Sequence, residues 1–342
     1  MVTLSDVAAR AGVSVSAVSR VLSDAPSARV SAETRQRIHE VAAELGYRPN
    51  FAARALKSSR SGFIGLIVPD LTNAMFTQLV SGVGDEAHAQ EYQVLLSRIE
   101  DMPDPDETIA RMVGEARVDG LLVQVGDRMR PQDLAGLLAA DLPVVLINSV
   151  HSERAGSVVL DDARGAELGT EHLIELGHTR IALVNGLPPS DTARRRELGF
   201  RTAMERAGLD VAEEHVTRLG YEPRTGADAM AQLAELDDLP TAIFVANVNA
   251  AHGVLRQAHL LGLRVPEDIS VIAMHDTWTA EMTWPPLTTV RMPLYELGRT
   301  AMRALKERMD AGKAVDLVVD EPEPVLVMRE STATVPARSS DQ

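Results

Sequence analysis

The chain has 342 residues, no cysteine and a formal net charge of −15, with 45% apolar residues. That length suits two or three compact units at roughly 100–200 residues each. The absence of cysteine excludes a disulfide framework, and with no apolar run of about 18 residues and no basic-then-apolar start, neither a membrane span nor export is expected, which makes the cytoplasm the expected location.

The charge is segregated along the chain. Nine basic and five acidic residues occupy positions 1–60, leaving 25 basic against 44 acidic in the remainder. An acidic body repels a polyanion, whereas a basic head attracts phosphates.

Within that head, Thr3 is placed to cap a helix with Asp6 at its third position, a variant of the capping box. Leu4, Val7, Ala8 and Ala11 share one face, and Gly12 suits the left-handed turn that ends such a helix. Ser14 is placed to cap a second helix through Leu22. Its Val18, Val21 and Leu22 point inward, leaving Val15, Ser16, Ser19 and Arg20 on a face available to a major groove. A third helix, capped by Ser31 and stopped by Gly46, adds Ile38, Val41, Ala42 and Leu45 to a small core. Arg29, Arg35 and Arg37 suit phosphate or solvent better than base edges. Beyond Pro49, Asn50 is placed to cap about two more turns, and a helix that short holds only when docked.

From Phe63 onward, short apolar runs alternate with amphipathic segments of helical length. The runs are 63–68, 93–96, 120–125, 143–147, 180–184, 241–245 and 270–274. Continuous Val/Ile/Leu runs separated by helices indicate parallel strands buried on both faces, hence two doubly wound lobes dividing near Leu160-Asp161-Asp162. Such sheets bind ligands at the carboxyl ends of their strands, where Asp70, Asn73, Asn148, Asn247, His275 and Asp276 fall. His178 follows Gly177 one residue before a strand, a placement that fits a structural hydrogen bond better than catalysis.

The segments Asp6-Val7-Ala8, Ala11-Gly12-Val13-Ser14, Val18-Ser19-Arg20-Val21 and Arg48-Pro49-Asn50 resemble the lactose/galactose repressor family, as do Glu171 to Ile181 and Gly262 to Val271 in the body. The resemblance implies an α/β chain with an all-α helix-turn-helix domain at 1–47 and a hinge helix and linker at 48–61. A two-lobed periplasmic-binding-protein-like body would follow at 62–342. Its first lobe would comprise about 62–160 plus 291–318, and its second about 161–290 plus 319–335.

The implied function is transcriptional regulation, as a repressor that binds near-palindromic double-stranded operator DNA as a homodimer under control of a small-molecule effector. Contacts to DNA would fall on Thr3, Ser5, Ser14, Val15, Ser16, Ser19, Arg20, Arg29, Ser31, Thr34, Tyr47, Asn50, Ala53, Leu56 and Lys57. Arg20 suits guanine, Val15 a thymine methyl, and Leu56 a wedge into the minor groove. The outer helices around 76–88 and 110–118 are the expected dimer surface, and a dimer is expected over a tetramer.

Effector contacts implied by the resemblance are Asp70, Asn73, Met75, Phe76, Asn148, Arg196, Asn247 and His275. A sugar is the family default. This chain departs from the family pattern with Asn73-Ala74-Met75-Phe76, Asn247-Val248 and His275, which opens the way to an anionic or heterocyclic effector or to a sensor without one. A histidine at 275 is able to donate, accept or carry charge near neutral pH.

No nucleophile elbow, His-Glu-x-x-His, Walker loop or strand-borne Gly-x-Gly-x-x-Gly is present, and Ser81-Gly82-Val83-Gly84 lies in a predicted helix, so no catalytic, metal or cofactor site is expected. A free solute-binding protein would share the body but not the basic head.

Overall fold

The computed structural model describes residues 2–22, 30–47, 60–98, 117–126, 142–150 and 155–335. They divide into two compact units, Met1–Ser61 and Gly62–Gln342. In the first unit, α1 (Leu4–Ala11), α2 (Val15–Leu22) and α3 (Ala32–Glu44) pack around Val7, Val18, Val21 and Ile38, all fully buried. The Thr3 cap is reciprocal: the Asp6 N–H donates to the Thr3 hydroxyl, and the Thr3 N–H donates to the Asp6 carboxylate at 2.8 Å. Gly12 turns the chain at φ 66°, where a side chain would be strained. The sequence-based hinge helix, with Asn50, Ala53, Leu56 and Lys57, lies outside the described residues, as does Arg29.

Two six-stranded sheets form the second unit. One contains β1 (Phe63–Val68), β2 (Gln93–Arg98), β3 (Gly120–Gln124), β4 (Val144–Ile147) and β5 (Gly156–Leu160). The other contains β6 (Ile181–Asn185), β7 (Val216–Arg218), β8 (Ala242–Val245), β9 (Ser270–Met274) and β10 (Thr288–Arg291). Two late strands complete them, β11 (Asp316–Val319) on the first sheet and β12 (Val325–Val327) on the second. The orders are β11-β5-β4-β3-β1-β2 and β12-β10-β9-β8-β6-β7. All pairings are parallel except β10 with β12. Strands β3, β4, β5, β6, β8 and β9 are buried throughout, as parallel strands covered on both faces must be. The chain crosses between sheets after Leu160, after Arg291 and after Val319.

The helices that cover these sheets meet in pairs at glycines. The pairs are α4 (Met75–Ala89) with α10 (Leu294–Ala311), α5 (Asp162–Glu175) with α6 (Asp191–Arg206), and α7 (Pro223–Ala234) with α8 (Val248–Leu260); α9 is the short turn Trp278–Glu281. A Cβ at Gly82 would overlap the Tyr295 carbonyl of the facing helix, and one at Gly298 would overlap the Leu79 carbonyl. The same holds for Gly199 against Ala163, and for Gly226 and Gly253 across the α7–α8 contact. Bare backbone lets these axes approach closely. Gly82→Ala should therefore lower stability by about 1–3 kcal/mol despite the better helix propensity of alanine, as read by urea unfolding, because a backbone oxygen has no rotamer through which to move aside.

The last described segment straps the second sheet. Ser331 donates to the Val271 carbonyl at 2.6 Å and accepts from the Thr288 N–H. His178 is 3% exposed; its Nε2 donates to the Ala333 carbonyl at 3.0 Å and its Nδ1 pairs with the Thr241 hydroxyl, which bears out the structural reading of this residue. His172 pairs with Thr332 at 3.0 Å. Burial lowers the pKa of both imidazoles, and their mutual proximity adds to the effect at His178. In the fold both take up their proton at lower pH than in the unfolded chain, where histidines charge as pH drops through about 6.5. Unfolded chain then binds more protons than folded, so stability falls with pH. The midpoint of thermal unfolding should drop between pH 7.5 and 5, a window above the carboxylate titrations, and His178→Gln should flatten that slope.

Candidate functional site

On the first unit, the outer face of α2 carries Val15, 44% exposed, with exposed Ser16 and Arg20 and half-buried Ser19. The Ser14 hydroxyl accepts from the Ala17 N–H at 3.2 Å, and Arg20 Nε donates to the Ser16 carbonyl at 3.2 Å. Thr3, Ser5 and Ser31 are exposed nearby in sequence, and Thr34 and Tyr47 are half-buried. Ser31 caps α3 by accepting from the Thr34 N–H. These side chains give the face hydroxyls and one long cation, a mixture able to reach both phosphate oxygens and base edges.

The second unit holds a polar cluster where the two sheets face one another. It is built outward from Asp162, which opens α5 just after the chain leaves β5 and is fully buried. Arg196 Nε donates to one of its oxygens at 2.8 Å and Arg195 Nη2 to the other at 2.7 Å. Burial alone would raise the Asp162 carboxyl, but the two guanidinium groups outweigh it and hold the group below the ordinary carboxylate range.

Each arginine then reaches a strand end. Arg196, 2% exposed, donates through Nη1 to the Ala246 carbonyl at 2.8 Å and through Nη2 to His275 Nε2 at 3.4 Å, with its guanidinium 5.2 Å from the Tyr221 ring centroid. Arg195 Nη2 donates to Asn148 Oδ1 at 3.0 Å, and its Nη1 to Asp191 at 3.1 Å. The Asp191 carboxylate also accepts from the Val150 N–H. One connected chain thus runs from the end of β4 on the first sheet to the end of β9 on the second.

Direct contacts join the lobes elsewhere. Gln78 Nε2 donates to the Asp276 carbonyl at 3.2 Å, and Asn247 Nδ2 to the Met75 sulfur at 3.4 Å. Of the residues singled out in the sequence, Asn148, Arg196 and His275 belong to the connected chain, and Met75 and Asn247 to this second contact. Phe76 is buried with the apolar core of the first lobe. Asn73 caps its own loop through the Met75 N–H, and Asp70 accepts from the N–H and hydroxyl of Thr72.

One expectation is corrected. His275 carries no charge near neutral pH: it is fully buried, and burial together with the Arg196 charge pushes it down to about 3. Sequence reasoning also passed over Arg195, Asp162, Asp191 and Tyr221. The Arg194-Arg195-Arg196 run at the start of α6 and the Asp161-Asp162 pair after β5 were the available signals.

Residues 3–50 match the family of bacterial regulatory proteins, lacI family, and residues 170–332 match the periplasmic binding protein-like domain. Catabolite control protein A of Priestia megaterium is 34% identical over 325 residues, covering 94% of this chain and 96% of its own. This chain belongs to the lacI family. The HTH-type transcriptional repressor PurR of Vibrio vulnificus (strain CMCP6) is 33% identical over 338 residues, spanning 98% of this chain and all of that one. A solved lac repressor dimer bound to operator and an anti-inducer superposes with a TM-score of 0.81 at 31% identity, covering 97% of this chain and 99% of its own. As a lacI-family member the chain is a DNA-binding transcription regulator and not an enzyme. No described helix is long and apolar enough to cross a membrane.

The network around Asp162 makes a stability prediction. Asp162→Ala leaves two arginines, one of them almost fully buried, without their carboxylate, and should cost about 3–5 kcal/mol in denaturant unfolding.

Proposed function

We propose that this lacI-family regulator is a dimeric repressor whose grip on a near-palindromic operator changes when a small molecule occupies the cleft between its two lobes. The observation that carries this reading is the hydrogen-bonded chain from Asn148 through Arg195, Asp162 and Arg196 to His275. It joins the strand ends of both sheets, so a ligand that re-partners any link changes how the lobes meet. The ligand shifts operator affinity only as far as its affinities for the two lobe arrangements differ.

At the DNA end, Arg20 reads guanine in the major groove and Val15 packs on a thymine methyl. Ser16 joins Val15 and Arg20 as a specificity position, Thr3, Ser5, Ser14, Ser19, Arg29, Ser31, Thr34 and Tyr47 position the unit on phosphates, and Asn50, Ala53, Leu56 and Lys57 form the segment that enters the minor groove. A single head contacts few base pairs, which is why two heads on a twofold site are needed. For the dimer surface, α4 has Thr77, Ser81 and His88 exposed, while its glycine face is covered by α10 of the same chain; of the second expected segment, 110–118, residues 110–116 lie outside the described residues. A cytoplasmic location fits a regulator of this kind.

An operator selected from randomised duplexes with the full chain tests the reading. Arg20→Ala should weaken binding by about 1–3 kcal/mol and relax preference at one base pair per half-site, read by fluorescence anisotropy at fixed salt. A uniform loss across all sequences would show Arg20 to be a phosphate contact instead.

A further inference from the structure

We propose that the cleft is built for an uncharged, acceptor-rich ligand of the lactam or cyclic-imide kind, in preference to a polyol or an anion. The inference rests on reading the cleft as an effector site and concerns which chemistry that site accepts.

Among the described residues, two buried donors at these strand ends lack partners, and their identities follow from their neighbours. Asn148 Oδ1 receives both the Leu160 N–H at 3.1 Å and Arg195 Nη2 at 3.0 Å, which orients the amide and leaves Nδ2 buried without an acceptor. Arg196 Nη2 donates to His275 Nε2, so the ring proton of the neutral imidazole sits on Nδ1, which is also buried and unpartnered. A buried donor without an acceptor is a cost that a ligand carbonyl or ring nitrogen relieves.

These two residues stand at matching places in the fold. Each follows the third strand in the order of its sheet, β4 in one and β9 in the other. Each holds a left-handed backbone, φ 52° at Asn148 and 73° at His275, which is unusual outside glycine and concentrates at ligand-binding positions. One unpartnered donor therefore stands at a strand end of each sheet.

Charge and acceptor supply narrow the ligand further. Among the described residues, each cation of the cluster already has a carboxylate, Arg195 and Arg196 at Asp162 and Arg194 and Arg195 at Asp191, and His275 is neutral, so no described cation there waits for an anion. The nitrogens of Arg196 already serve Asp162, Ala246 and His275. The carboxylates are likewise committed: Asp162 and Asp191 to arginines, and Asp276 to Thr289, Arg291 and Arg329. A polyol would bring many hydroxyl protons to a cluster whose carboxylates at Asp162, Asp191 and Asp276 are already paired. Gln124, at the end of β3 beside β4, supplies a buried unpartnered oxygen. Two donors and one acceptor are the kinds of group that the carbonyl, N–H, carbonyl edge of an imide would satisfy.

Calorimetry on the full chain at pH 7.5 tests this with four probes: uracil and hydantoin as cyclic imides, myo-inositol as a polyol, and orotate as the same ring as uracil with a carboxylate. At least one imide should bind ten-fold or more tightly than inositol and orotate. Asn148→Asp replaces the unpartnered donor with an acceptor of the same size, tolerates the left-handed backbone and faces Arg195, so it should keep the melting temperature while losing ten-fold or more of imide affinity. Binding of orotate or inositol at equal or greater affinity overturns the proposal, as does no imide binding at millimolar concentration or an Asn148→Asp chain that binds the imide unchanged. Operator binding by the same preparations separates the two levels: a chain that holds operator but no imide loses only the ligand class, whereas one that holds no operator fails as a regulator whatever it binds.

Discussion

A carboxylate buried in a protein must be paired or neutralised, and Asp162 shows how much structure one such demand can organise. It sits where the chain first crosses from one sheet to the other, and α6 answers it with consecutive arginines. Because a guanidinium has more donors than one carboxylate can accept, each arginine carries the interaction onward, one to Asn148 and the other to Ala246 and His275. The strand ends of both lobes thereby depend on a single buried negative charge. His275 stays neutral there, because burial disfavours its charged form and the Arg196 charge beside it adds to that cost.

Around this polar centre the helices are packed for a different reason. Their helices touch backbone to backbone at glycines such as Gly82 and Gly298, leaving little room for sliding. The antiparallel strand β12 and the strap through Ser331 and Ala333 tie the far end of the chain into the second sheet.

The helical head depends on a much smaller core, centred on Val7, Val18, Val21 and Ile38, with its caps supplied by Thr3, Ser14 and Ser31. Local capping does much of the work that burial does in the body, because a unit this small has little apolar surface to remove from water. Its basic excess draws this unit to DNA, whose phosphates repel the acidic remainder of the chain.

What the sequence determined by itself was whatever is written in local pattern. The three helices of the head, the buried strands β1, β3, β4, β6, β8 and β9, and the strand-end positions of Asn148, Asn247 and His275 were all legible, because capping, 3.6-residue periodicity and continuous apolar runs act over a few residues. Strand β5 was read only as a point of division, and β11, with three of its four residues exposed, has no apolar run to announce it. Only the tertiary structure decided that Asp162 meets residues 33 and 34 positions away, that Arg195 lies beside Asn148, and that His275 is neutral with its Nδ1 proton unmet. Those outcomes depend on which distant side chains share a buried space, and partnership at long range, along with the desolvation that shifts a proton, leaves no mark on the residues nearby in the chain.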